Sequence, residues 1–127
     1  MDRKVRVLLV GLDPAGLDYS RAPIPGMTEE ILTAALEAEN AKLTTLGYDV
    51  RMLYIDTGKT AEAVTREALV QGHYDCVLIG AGLRLVPDHF LLFEKIVNVV
   101  HAHAPVSVRI CFNTRPNDTA EAVQRWV

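Results

Sequence analysis

Eight residues in the loops of this chain have types that suit the binding of a small ligand. They are Gly11, Asp13, Gly16, Gly80, Gly82, Arg84, Asn113 and Arg115. Glycine lets a ligand approach the backbone closely, and the oxygen atoms of Asp13 and Asn113 would orient its polar groups. A guanidinium grips a carboxylate or a phosphate with two hydrogen bonds. We therefore expect Arg84 and Arg115 to bind an anionic group of the ligand.

These loops follow four apolar runs that are typical of β-strands. The runs cover residues 5–10, 48–55, 76–79 and 106–112. Apolar residues at three- and four-residue spacing indicate helices over about 28–46, 61–71, 88–103 and from Asp118 onward. The alternation of strand and helix predicts an α/β fold, with a parallel sheet and helices on both faces. Because the first run is apolar apart from Arg6 and the third is apolar throughout, they should be central, which gives the strand order 2-1-3-4.

The last helix begins at a sequence typical of a capping box. Asp118 precedes Glu121 by three residues, so the two side chains would each accept a hydrogen bond from the other's backbone N–H group. Ala122, Val123 and Trp126 follow within this helix, and we expect them to be buried.

With this strand order the chain resembles the flavodoxin-like three-layer α/β fold. The resemblance covers nearly the whole length, residues 1–127, as a single domain that lacks the usual fifth strand. In open α/β sheets, ligands bind at the carboxyl ends of the strands where the strand order reverses. The crevice should therefore open between the first and third strands, and the loops after Val10 and Ile79 should line it.

The connection after the first strand is unusually long. It covers residues 11–27, which is 17 residues, whereas about two to six are common in such units. Pro14, Pro23 and Pro25 restrict its conformations. We expect an ordered cover over the crevice, and the alternative is an insertion that only packs on the end of the sheet.

Two nucleotide-binding motifs are present only in part. Gly11-x-Asp13-x-x-Gly16 is similar to the dinucleotide fingerprint Gly-x-Gly-x-x-Gly, but its central carboxylate would repel a pyrophosphate. Gly58-Lys59-Thr60 matches the end of a phosphate-binding P-loop, but Leu53 stands where that motif begins with glycine. The second segment is better explained as a short turn before a helix.

Three cofactor or phosphate sites of related folds are also incomplete. Segment 47–82 is similar in texture to cobalamin-binding domains, but the stretch Asp13-Pro14-Ala15-Gly16 lacks their cobalt-ligating histidine. Receiver domains carry an aspartate at the end of the third strand, where this chain has Gly80. The hydroxyl-rich phosphate loop of flavodoxin is missing after the first strand. The sequence therefore assigns no cofactor.

The composition limits the classes of partner. The formal net charge is −3 and no basic block is present, which argues against nucleic acid. No apolar run approaches the roughly 18 residues of a membrane span, and the amino terminus lacks the pattern of a secretory signal. We expect a cytoplasmic protein, with Cys76 and Cys111 as reduced residues of buried strands.

The histidines do not form a metal site in this topology. His73, His101 and His103 fall on the edge opposite the crevice and are expected to be solvated. His101 and His103 are two positions apart on a helix, so their side chains point about 200° apart. His89 alone begins a helix on the crevice side, where an exposed helix-start residue explains it better than a catalytic base.

The third helix carries more apolar surface than one sheet face covers. Phe90, Leu91, Leu92 and Phe93 are consecutive and surround its first turn. Either a neighbouring helix or a second subunit must cover the remainder, and we expect a two-fold homodimer through helix 88–103.

Two hypotheses from different classes follow. The first is a small α/β domain that binds a small polar or anionic ligand at the carboxyl edge of its sheet. The alternative is a non-catalytic homodimeric interaction or regulatory module that uses helix 88–103. Neither hypothesis names a reaction.

Overall fold

The computed structural model describes residues 3–127 and contains a four-stranded parallel sheet. Strand β1 (Arg6–Leu12) pairs on one side with β2 (Asp49–Ile55) and on the other with β3 (Cys76–Ile79), which pairs with β4 (Arg109–Phe112). The sheet order is therefore β2-β1-β3-β4. The predicted α/β class and the strand order 2-1-3-4 are confirmed. Residues 1 and 2 of the predicted domain lie outside the described residues.

Five α-helices accompany the strands in the described part of the chain. They are α1 (Glu29–Thr45), α2 (Ala61–Gln71), α3 (Ala81–Leu85), α4 (Phe90–His103) and α5 (Thr119–Gln124), with 3-10 turns at Tyr19–Arg21 and Pro87–His89. Helices α2 and α4 pack together on one face of the sheet, and α1 and α5 pack on the other. None of the described helices combines the length and apolar character that crossing a membrane requires.

The alternation of side chains along β1 divides the core into two layers. Leu8 and Val10 face α2 and α4, whereas Val7 and Leu9 face the side of α1 and α5. All four side chains are buried. A strand segment covered by helices on both faces needs apolar residues at every position, which explains the apolar composition of residues 7–10.

Three segments differ from the elements predicted for them. Strand β1 extends through Gly11 to Leu12, so Gly11 is the penultimate residue of this strand and not the first residue of the loop. Strand β4 begins at Arg109 and not at residue 106, because the chain turns at residues 105–108, where the Val108 N–H donates to Pro105. Val106 lies fully exposed on that turn. The segment after β3 was predicted as a loop but forms the short helix α3, which buries Leu83 against the core.

The predicted capping box of α5 is wrong. The Asp118 side chain makes no capping hydrogen bond to the helix. It accepts hydrogen bonds from the N–H groups of Thr114 and Arg115 in the preceding loop. The Ala120 N–H group at the start of α5 donates instead to the carboxylate of Glu39, a residue of α1, at 3.0 Å. Trp126 was predicted to be buried but is 54% exposed, because the helix ends before it.

Candidate functional site

A cavity of about 300 Å³ lies at the carboxyl edge of the sheet, between the loops that follow β1 and β3. The Gly80 N–H group donates to the Val10 carbonyl across these two strands at 2.8 Å. A Cβ atom at Gly80 would approach the same oxygen to 3.3 Å, so glycine lets the two turns meet closely. This is the position where the strand order reverses, which is the usual ligand position in open α/β sheets.

One wall of the cavity is formed by residues 14–27, which we name the cover segment. Its lining residues include Leu17, Tyr19, Ala22, Pro23, Ile24 and Met27. Its backbone-to-backbone hydrogen bonds, such as Arg21 N–H to the Asp18 carbonyl and Met27 N–H to the Ile24 carbonyl, stay within the segment. Among residues 3–127 it makes no backbone hydrogen bond to the sheet or to a helix. The cover segment is therefore attached to the body of the protein through side chains.

The polar attachment of the cover segment is an ion pair. The Arg21 guanidinium grips the carboxylate of Asp88, with Nε 2.7 Å from Oδ2 and Nη2 2.7 Å from Oδ1. Both side chains are about half exposed, and exposed pairs of this kind contribute about 0–1 kcal/mol. Gly16 and Gly26 adopt positive φ angles of 85° and 79° near the two ends of the segment. Glycine adopts this backbone conformation without strain.

The side-chain amide of Asn113 fixes the walls of the cavity that lie opposite the cover segment. Its Oδ1 accepts from the Ala81 N–H at 2.8 Å, and its Nδ2 donates to the Arg115 carbonyl at 2.9 Å and to Thr119 Oγ1 at 3.2 Å. Asn113 is 4% exposed. Because its donors and acceptor are engaged within the protein, this residue positions the start of α3 and the loop after β4.

Six of the eight candidate residues line the cavity. They are Gly11, Gly16, Gly80, Gly82, Asn113 and Arg115. The other two, Asp13 and Arg84, do not line it. Arg84 lies two residues beyond Gly82 in α3, and residues so spaced on a helix point about 200° apart. Its Nη2 donates to the Asn113 carbonyl at 2.5 Å, while its buried Nε has no hydrogen-bond partner in the described chain.

Asp13 belongs to a neighbouring cleft between the loops that follow β1 and β2. Its carboxylate accepts from the Ala15 N–H at 3.0 Å, which closes a local turn. Asp56 lines the same cleft and accepts from the hydroxyl and the N–H of Thr60. Hydrogen bonds, mainly from the Thr60 side chain and also from the Gly58 N–H, hold the pKa of the Asp56 carboxyl below its usual value. These carboxylates therefore hold turns, and no group of side chains within residues 3–127 is placed to hold a metal ion.

The apolar part of the lining was not identified from the sequence. Leu32 and Leu36 of α1 reach the cavity, as do Leu85 at the end of α3 and Val86 directly after it. The sequence nevertheless contained a signal for this wall. The long loop carries apolar residues such as Ile24, which a loop fully exposed to solvent would not need. His89 also lines the cavity.

No known protein family model matches this chain. No curated protein matches it with significant similarity either. The function is therefore inferred from the site itself.

We predict that Arg21→Gln loosens the cover segment without unfolding the sheet. Loss of the pair with Asp88 removes at most about 1 kcal/mol, so amide hydrogen exchange within residues 14–27 should accelerate by roughly two- to fivefold. Hydrogen exchange with mass spectrometry measures this directly. Arg66→Gln, at an exposed α2 position that has no ion pair within residues 3–127, is the matched control. Equal exchange in both variants would show that the pair does not hold the cover.

Proposed function

We propose that this protein binds a small organic ligand in the cavity between the loops that follow β1 and β3. The observation that carries the proposal is the combination of this cavity with a cover segment that has no backbone-to-backbone hydrogen bonds to the rest of the described chain. A cover attached in this way can move aside for a ligand while the sheet stays intact.

We infer that the domain is flavodoxin-like, with residues 1–127 as one unit that lacks the fifth strand. The order β2-β1-β3-β4 supports this inference, because it matches the first four strands of the flavodoxin order 2-1-3-4-5. The fold hosts many functions, so it supports the place of the site but not its chemistry.

The proposed ligand contacts are the lining residues that either leave space for the ligand or offer it a positive charge. Gly11, Gly16, Gly80 and Gly82 would let the ligand approach the backbone, and Arg115 would meet its anionic group. Asn113 acts indirectly, through Ala81 and Arg115. Since Asp13 and Arg84 lie outside the lining, we assign them to the support of the loops and not to ligand contact.

A cytoplasmic location is part of the proposal. The thiols of Cys76 and Cys111 are both free and buried, with their sulfur atoms 3.5 Å apart. Cysteines remain reduced in the cytoplasm, whereas oxidising compartments favour disulfides. Isolation of the native protein with these two residues joined in a disulfide would argue against this location.

We predict that filling the cavity abolishes ligand stabilisation. A Cβ atom added at Gly82 would meet no other atom within 4 Å, and Gly82 lines the cavity, so we expect the side chain of Gly82→Leu to occupy it. The measurement is a thermal-shift screen with 3-phenylpropionate, 3-phenylpropanol, hexanoate, glucose 6-phosphate and AMP. A ligand at ten times its Kd stabilises by about 1.4 kcal/mol, which raises Tm by roughly 5 °C in a domain of this size.

At least one compound should raise the Tm of the wild-type protein and lose this effect in Gly82→Leu. Ala102→Leu is the control, because Ala102 is exposed near the end of α4, on the opposite edge of the sheet. A compound that stabilises both variants equally binds elsewhere. A panel without any stabilising member would also contradict the proposed function.

A second candidate function is a homodimeric interaction or regulatory module. The observation that favours it is the exposure of Phe90 and Leu91, which are 55% and 68% exposed on the first turn of α4. The remaining apolar residues of this turn do not contribute, since Leu92 is buried and Phe93 packs on Phe112 with ring centroids 5.7 Å apart. We propose Phe90 and Leu91 as the centre of the interface.

We predict that Leu91→Glu separates such a dimer. Placing a carboxylate in a buried apolar contact leaves the charge unpaired, which disfavours association. The molar mass from size-exclusion light scattering should fall from twice the chain mass to the 14.0 kDa of one chain. Val70→Glu is a close control, since Val70 on α2 is 67% exposed. A monomeric wild-type protein, or equal dissociation by both variants, would contradict the interface.

A further inference from the structure

The walls of the cavity suit an apolar body. Leu17, Ile24 and Met27 line it from the cover segment, and Leu36 and Val86 line it from α1 and from the end of α3. Ligand pockets in proteins are typically lined in this way, with a small number of polar groups that fix orientation. A ligand composed only of polar groups would lose its hydration against these walls without gaining partners.

Most charged side chains of the lining are already engaged. The Asp18 carboxylate accepts from the N–H of Ser20 at 3.1 Å and from its hydroxyl at 2.5 Å. Arg21 and Asp88 neutralise each other in the ion pair that holds the cover segment. These groups therefore have little capacity left for the charge of a ligand.

Arg115 differs from these residues because its backbone is fixed while its side chain is not. Its N–H donates to Asp118 Oδ1 at 3.1 Å and its carbonyl accepts from Asn113 Nδ2. Across residues 3–127, its guanidinium makes no hydrogen bond and no ion pair. The Asp118 carboxylate accepts bonds from Thr114 and from the Arg115 N–H, and not from the guanidinium. The loop thus presents, on the wall of the cavity, a guanidinium that has no hydrogen-bond or ion-pair partner in the described chain, although its charge interacts with that of Asp118.

We propose that the ligand is a small organic carboxylate with an apolar body. The apolar part lies against the leucine, isoleucine, methionine and valine side chains beneath the cover segment, and the carboxylate binds the guanidinium of Arg115 through two hydrogen bonds. A monoanion matches the single guanidinium that has no partner, whereas a phosphate ester would bring nearly two negative charges close to Asp18 and Asp118 as well. This ligand class deepens the proposed function and rests on it.

The test compares two probes that share one carbon skeleton and differ in one end group, which is a carboxylate or a neutral hydroxyl. The affinities of 3-phenylpropionate and of 3-phenylpropanol are measured by isothermal titration calorimetry or NMR titration, with inorganic phosphate as a third probe. The proteins are the wild type, Arg115→Gln and the control Arg109→Gln, whose arginine is exposed at the amino end of β4. Both substitutions replace an exposed side chain, so Tm should stay within about 2 °C of the wild type.

We expect the wild type and Arg109→Gln to bind 3-phenylpropionate at least tenfold more tightly than 3-phenylpropanol. In Arg115→Gln the two affinities should become equal within twofold, through weaker binding of the acid and unchanged binding of the alcohol. Inorganic phosphate should bind more weakly than the acid to all three proteins.

Other results separate failure of the ligand class from failure of the proposed function. Equal affinities of acid and alcohol for the wild type, tighter binding of phosphate, or no effect of Arg115→Gln would overturn the carboxylate class while leaving the cavity as the site. Absence of binding by both probes at about 10 mM would also overturn the class, and glucose 6-phosphate and AMP would then test the cavity. If the probes bind but Gly82→Leu leaves both affinities unchanged, the proposed function itself fails.

Discussion

The three hydrogen bonds of the Asn113 side chain hold together the elements on one side of the cavity. They connect the end of β4 with the first residue of α3, with the loop that carries Arg115 and with the start of α5. Leaving a buried amide without its hydrogen-bond partners destabilises the folded protein. These elements therefore keep one relative position. The connection requires β3 and β4 to be parallel neighbours that end at the same edge. The site therefore depends on the order of the sheet.

The opposite wall of the cavity is held by weaker interactions. The cover segment contributes apolar contacts, such as those of Leu17 with the core, and the exposed pair of Arg21 with Asp88. Losing buried hydrogen bonds costs more free energy than losing an exposed ion pair. The cover segment should therefore open much faster than the wall held by Asn113. Under the proposed function, this contrast would place a rigid recognition surface on one side of the cavity and the entrance for the ligand on the other. Such a division is typical of sites whose ligand is enclosed after it binds.

The sequence predicted those features that depend on local pattern. The uniform apolar composition around Val10 and Ile79 was sufficient to place β1 and β3 at the centre, because only strands covered on both faces have it. Features set by tertiary contacts were not predictable in this way. The Ala120 N–H is capped by Glu39, 81 residues away, and no local pattern indicates such a partner. Likewise, Arg84 was expected in the crevice but does not line the cavity and donates to the Asn113 carbonyl, since its segment forms a helix that a loop-based expectation did not include.

The location of the bound ligand tests the central claim most directly. Addition of 3-phenylpropionate to the ¹⁵N-labelled protein, followed by heteronuclear NMR, reports which backbone amides change their environment. We expect the largest shift changes at Gly11, Gly82 and Arg115, with no significant change at Phe90 or Leu91. Shift changes concentrated on the exposed first turn of α4, with the amides of Gly11 and Gly82 unaffected, would contradict a ligand site between β1 and β3.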